Sequence, residues 1–218
     1  MSEEDDNPRN ATREHAELTR WIELSNNRKG FCGTSARNTP EDKQIVEASM
    51  MQEWVEAMQE SFGTIVTNVR QNPNDPPDFL ATVGSEDVGV ELIELITTSH
   101  LLRSIGKNPK AKKGKEAKEE IKENPQHGQL FMDTQWNRDR FESQLTDAIK
   151  KKATLYKERA IVIDVLVLYT CEPWLSAAMV EQWLQETTFE APKNIHAAFL
   201  LMEYHPGYAE HWPVFRLF

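Results

Sequence analysis

One stretch of the chain, residues 160–170, is almost wholly apolar. A strand of this composition is expected to be buried on both faces, because a half-buried strand would alternate apolar and polar residues. It therefore predicts a central strand of a sheet that is covered on both sides. The expected fold is α/β, a mixed central sheet flanked by helices.

The other elements are predicted from capping residues, turn residues and apolar periodicity. The first helix is expected to begin after the N-cap Thr39, to reach about residue 61 and to end near Gly63. Further helices are expected over 136–159 and 175–186. Strands are expected over 65–70, 78–83, 88–96, 160–170, 197–203 and 213–217. The order is α-β-β-β-α-β, followed by α-β-β.

Composition divides the chain into an N-terminal segment and one domain. Residues 1–38 are polar and are expected to be partly disordered, whereas residues 39–218 are expected to form the domain. A lysine- and glutamate-rich stretch at about 105–128 predicts a flexible insertion.

No apolar run approaches the ~20 residues of a membrane-spanning helix. The acidic N-terminus is unlike a secretory signal, and the 2 cysteines lack metal-ligand spacing, so we expect a cytoplasmic protein without membrane contact.

Two acidic residues are set into a pair of short apolar strands that a tight turn at 84–87 joins. Asp78 begins the first of these strands, and Glu91 lies within the second. Desolvating a carboxylate in a strand is costly unless a partner compensates its charge. A divalent cation held by both would do so, and Mg²⁺ prefers oxygen ligands. The alternative is a turn acid at Asp78 and a solvated glutamate at Glu91.

Pro77-Asp78, followed by Glu91 on the next strand within an α-β-β-β-α-β order, resembles the PD-(D/E)XK nuclease-like superfamily over roughly residues 39–169. The resemblance implies a restriction-endonuclease-like core and hydrolysis of phosphodiester bonds, foremost in DNA, with Mg²⁺ or Mn²⁺ as cofactor. It implies that Asp78 and Glu91 bind the metal, with the backbone carbonyl of Leu92 as a third ligand. RNA as substrate, a homodimer and a protein partner remain alternatives.

The chain departs from the superfamily's pattern at Ile93, where the superfamily has a lysine. Some members carry their lysine on the following helix instead, and the pattern Ile149-x-x-Lys152-x-x-x-Tyr156 in the helix over 136–159 is similar to that arrangement. Lys152 is therefore predicted to orient the attacking water or to stabilise charge on the phosphate. The alternative is a lysine whose stem covers the core while its ammonium lies in water.

A glutamate of the first helix is a further candidate. Glu47 extends the apolar stripe of that helix by one turn, and the resemblance implies a glutamate from this helix beside the metal. Glu53 and Glu56 compete with Glu47 for the same role.

The formal net charge of −10 argues against a protein that coats nucleic acid non-specifically. Two basic islands can nevertheless contact a phosphate backbone locally, although the first is also typical of a solvated or disordered segment. The candidate nucleic-acid contacts are Lys110, Lys112, Lys113, Lys150 and Lys151.

Two functions follow from these residues. The first is a metal-dependent nuclease. The second is a catalytically inactive nuclease-fold module that binds a protein partner or nucleic acid, which the acidic charge and the isoleucine at position 93 favour.

Overall fold

The computed structural model describes residues 39–95, 136–171, 175–203 and 210–218. The predicted segments at 1–38 and 105–128 lie outside these residues. The helices are α1 (Pro40–Phe62), α2 (Arg138–Glu158) and α3 (Ala177–Leu184). The strands are β1 (Val66–Gln71), β2 (Phe79–Val83), β3 (Glu86–Glu94), β4 (Ile163–Thr170), β5 (Ile195–Met202) and β6 (Val214–Arg216). This order, with one helix before β1, one before β4 and one before β5, is the predicted order.

All six strands form one sheet in the order β1-β2-β3-β4-β5-β6. Strand β3 pairs in parallel with β4, and β4 pairs in parallel with β5. The pairs β1–β2, β2–β3 and β5–β6 are antiparallel. The predicted mixed sheet flanked by helices is therefore confirmed.

Two apolar cores lie on opposite faces of the sheet. The first packs α1 against the sheet and includes Val165 and Val167 of β4. The second packs α2 and α3 against the other face and includes Leu166 and Leu168. Since successive residues of a strand point to opposite faces, β4 is buried on both faces, as its composition predicts. No helix in these described residues is long and apolar enough to cross a membrane.

Helix α1 begins and ends where its capping residues predict. The hydroxyl of Thr39 accepts a hydrogen bond from the N–H of Asp42 at 3.0 Å, and the Thr39 N–H donates to the Asp42 carboxylate at 3.3 Å. Gly63 ends the helix with a φ of 63°, a left-handed conformation that glycine adopts without strain. These caps are local, so the sequence alone is enough to place them.

Each of the six strands begins one to three residues from its predicted start, and three of the differences have an evident structural basis. Strand β2 begins at Phe79, so Asp78 lies just before the strand instead of within it. Strand β4 begins at Ile163, because Ala160 has a φ of 54° and its N–H bonds to the Lys157 carbonyl in a turn that follows α2. The β2–β3 turn is shorter than 84–87: Val83 pairs with Glu86, which leaves only two residues between the strands.

Candidate metal site

Glu91 lies in the middle of β3 and is only 3 % exposed. Its Oε1 accepts hydrogen bonds from Lys152 Nζ at 2.5 Å and from the hydroxyl of Tyr156. Lys152 Nζ also donates to the Tyr156 oxygen at 3.1 Å. The other carboxylate oxygen, Oε2, is buried and has no hydrogen-bond partner among the residues that the structure describes. Oε1 of Glu91 therefore accepts two hydrogen bonds, whereas Oε2 accepts none from the described residues.

Helix α2 brings Lys152 and Tyr156 to this carboxylate. The helix is fixed to the sheet by a buried stripe that includes Leu145 and Ile149. Since residues three and four apart share a face of a helix, the stripe continues to Lys152 and Tyr156. Burial, followed by the hydrogen bond to Glu91, raises the pKa of Tyr156 above its usual value, so the hydroxyl stays a protonated donor.

Asp78, the residue before β2, lies in the same site. Its Oδ2 accepts the backbone N–H of Leu92 at 2.8 Å, and its Oδ1 lies 3.9 Å from Lys43 Nζ of α1. Burial, and then the charge of Glu91, raises the pKa of Asp78 to about 7, although the Leu92 N–H and Lys43 act in the opposite direction. The elevated pKa means that burial and the neighbouring carboxylates disfavour the charged form of Asp78 more than the Leu92 N–H and Lys43 favour it.

Asp75 is a third carboxylate, which the sequence analysis missed. Asp75, Asp78 and Glu91 each offer an oxygen atom, and these three atoms lie within 4.8 Å of one another. Asp75 is exposed, whereas Asp78 is half-buried and Glu91 is buried. The only signal in the sequence is an acid that stands two prolines before Asp78, which resembles an ordinary loop acid.

The Leu92 carbonyl is directed to the side of β3 that Asp78 occupies. The N–H and C=O of a strand residue point to the same edge of the strand, and consecutive residues alternate between edges. The Leu92 N–H donates to Asp78 on the β2 side, whereas the N–H of Gly89 donates to Asp164 of β4 at 2.8 Å. The geometry therefore agrees with Leu92 as a ligand, and its coordination of a metal stays a prediction.

These groups line one open cleft of about 320 Å³. Five carboxylates and three cationic side chains face it, which leaves a formal excess of two negative charges. The acids are Glu47, Asp75, Asp78, Glu91 and Glu94, and the cations are Lys43, Lys152 and Arg159.

Among the glutamates considered on the first helix, the structure places Glu47 in the cleft, where it is 7 % exposed and 3.3 Å from Lys43 Nζ. Glu53 and Glu56 do not line the cleft. Glu47 is not one of the three acids whose oxygen atoms lie within 4.8 Å of one another. Burial lowers the pKa of Lys43, but the charges of Glu47 and Asp78 outweigh burial, so the lysine remains charged.

Of the predicted lysines, only Lys152 reaches the cleft within the described ranges. Lys150 and Lys151 are exposed on α2 and do not line the cleft. Lys110, Lys112 and Lys113 lie outside the described residues. Ile93, which stands where the superfamily has its lysine, packs against the apolar core under α2.

The arrangement combines a set of oxygen ligands with cations from two helices around an open cleft. Such a set can bind a hard divalent cation and an anionic group beside it. Searches against protein-family models, curated proteins and solved structures find no match to this chain.

Proposed function

We propose that this protein is a metal-dependent nuclease that hydrolyses phosphodiester bonds in DNA, with a restriction-endonuclease-like core. The observation that carries the proposal is the environment of Glu91. Its Oε1 is held by two donors, its Oε2 is buried without a partner among the described residues, and two further carboxylates lie beside it. An unsatisfied buried oxygen is costly and is ordinarily explained by an unseen water or ion.

A divalent cation fits this site better than water alone. The donors are carboxylate oxygens and one backbone carbonyl, which are the ligands that Mg²⁺ and Mn²⁺ prefer. Asp78, Glu91 and the Leu92 carbonyl would hold the cation, with Asp75 as an added carboxylate. One divalent ion would balance the two excess negative charges of the cleft. When bound, it would stabilise the negative charge that develops on a phosphoryl oxygen.

The side chains of α2 supply the remaining chemistry in this proposal. Lys152 is held at the carboxylate by its ion pair with Glu91 and also donates to Tyr156, which leaves the third N–H of its ammonium for a phosphate oxygen or an attacking water. Tyr156 keeps Oε1 of Glu91 occupied and thereby limits the rotation of the carboxylate. Glu47 is the proposed auxiliary acid, and its ion pair with Lys43 fixes a second cation in the cleft.

The order of elements supports the restriction-endonuclease-like core, since α1, β1, β2, β3, α2 and β4 follow one another as in the superfamily. The second candidate function is the catalytically inactive module that binds a protein partner or nucleic acid. The observation that favours it is Ile93, whose apolar side chain leaves this position of β3 without a cation.

A cleavage assay distinguishes the two functions. Wild type, Asp78→Ala, Glu91→Ala and Lys152→Ala are incubated with single- and double-stranded DNA and RNA in Mg²⁺ or Mn²⁺. We expect cleavage by wild type and a loss of at least roughly a hundredfold in each variant. Lys157→Ala is the matched control, because it removes the same charge from an exposed position of α2 outside the cleft, and Lys157 is not one of the predicted nucleic-acid contacts.

The outcomes separate the parts of the proposal, provided that circular dichroism shows all variants to be folded. Cleavage that survives Lys152→Ala would keep the metal-binding acids and discard the role of the lysine. An absence of cleavage by folded wild type on every substrate would contradict the nuclease and leave the inactive module.

A further inference from the structure

Three residues of α2 and its C-cap residue Arg159 line the cleft, and two of these four are engaged with Glu91. Lys152 and Tyr156 bind the carboxylate, whereas Leu155 and Arg159 lie further from it along the same face of the helix. Spacings of three and four residues place all four side chains in one row. The row therefore extends beyond the metal-binding acids.

Arg159 stands at the C-terminal end of α2 and is exposed. Within the part of the chain that the structure describes, its guanidinium forms no ion pair or hydrogen bond. Arg159 is seven residues beyond Lys152, which corresponds to about 10 Å along a helix. This separation along the helix leaves room for two phosphates of one strand, one at the acids and the next at Arg159.

Leu155 lies between these two cations and is 36 % exposed, although it faces a charged cleft. An apolar side chain at this position offers nothing to a phosphate or to water. It can contact the face of a nucleobase, and a base face is accessible only where the strand is unpaired.

We propose that Arg159 and Leu155 bind the nucleotide next to the scissile phosphate, so that the substrate is a single strand of nucleic acid instead of a duplex or a mononucleotide. Arg159 contacts the neighbouring phosphate, and Leu155 contacts its base. This inference rests on the proposed nuclease function and adds to it the class of substrate.

The test measures the affinity of the protein for a fluorescein-labelled single strand of DNA of about twenty nucleotides. Fluorescence anisotropy reports the binding, and the buffer contains millimolar Ca²⁺. Arg159→Ala is expected to weaken binding about tenfold and to reduce the dependence of affinity on salt by about one phosphate contact. Arg159→Lys should restore most of the affinity. Lys157→Ala is the matched control, since Lys157 is exposed at the same end of α2 but does not line the cleft; we expect less than a twofold change.

Leu155 is tested by the preference for single strands. Wild type should bind the single strand more tightly than a duplex of the same sequence, and Leu155→Ser should reduce that preference. Equal affinity for both forms, or equal weakening by Arg159→Ala and Lys157→Ala, would overturn the inference.

If wild type does not bind the strand, although Mg²⁺ stabilises wild type and not Asp78→Ala, the substrate inference is wrong and the metal site remains. If Mg²⁺ stabilises neither protein and no strand binds, the proposed function fails as well.

Discussion

Replacing Asp78 by asparagine is expected to stabilise the metal-free protein at pH 8. In the folded protein, burial and then the charge of Glu91 raise the pKa of Asp78 from 3.8 to about 7. A group whose pKa is raised on folding stabilises the fold fully below its unfolded pKa, and this contribution is lost as the pH rises through the folded pKa. Wild type therefore loses stability between pH 3.8 and about 7. Asparagine does not titrate and avoids this loss.

The expected gain in the free energy of unfolding follows from the same shift in the pKa of Asp78. A difference of about three pKa units corresponds to at most ~4 kcal/mol. The attraction of Lys43 is already contained in the pKa of about 7, and solvent screening in the open cleft reduces the value further, so we expect about 2 kcal/mol. The amide oxygen of asparagine can still accept the N–H of Leu92. For a chain of this length, the gain corresponds to an increase of roughly 4–8 °C in Tm.

Thermal unfolding in EDTA at pH 8 and pH 5 measures the effect. The gain in stability of Asp78→Asn over wild type should be less than half as large at pH 5 as at pH 8. Asp147→Asn is the control, because it removes the same charge from an exposed position of α2 outside the cleft, and we expect it to stay within about 0.5 kcal/mol of wild type. A variant no more stable than wild type at pH 8 would refute the reasoning. At ten times its Kd, Mg²⁺ should stabilise wild type by about 1.4 kcal/mol and the variant much less.

Two further substitutions test how the acids are held in place. Tyr156→Phe removes a donor from buried Glu91, so we expect a loss of about 1.5 kcal/mol in urea unfolding, and an unchanged stability would show that the hydrogen bond contributes little. Gly89→Ala would place a Cβ atom 2.7 Å from Cγ of Pro77, which precedes Asp78. We expect a loss of about 1–2 kcal/mol and weaker Mg²⁺ binding by calorimetry; an unchanged Mg²⁺ affinity would contradict a role for this packing in placing Asp78.

The hairpin acids are the part of the site that the sequence predicts best. Asp78 directly precedes β2 and Glu91 lies in β3, and two residues join these strands, so the apolar pattern and the turn are sufficient to bring the two acids together. The contact between Lys152 and Glu91 spans 61 residues. The apolar stripe of α2 continues to position 152, which indicates that Lys152 lies on the face of the helix that packs against the sheet. The stripe does not indicate which residue of the sheet Lys152 contacts.

Asp75 and Lys43 could not be predicted in the same way. The position of Asp75 depends on the path of the loop before β2, and loop acids show no periodicity that would distinguish this one. The approach of Lys43 to Asp78 depends on how α1 crosses the sheet. Crossing angles are set by side-chain packing between elements, which the spacing of apolar residues alone does not fix.

The site also has a consequence for folding. The backbone N–H that binds Asp78 is 14 residues away, within one hairpin, whereas Lys152 and Tyr156 are 61 and 65 residues from Glu91. Hairpins form in microseconds, and contacts between distant segments form more slowly because more chain must be ordered first. We therefore expect the two carboxylates to meet before the lysine arrives and their repulsion to oppose the closing of β2 on β3. A divalent cation in solution would relieve that repulsion at this early stage and so would accelerate the folding of the sheet that later holds it.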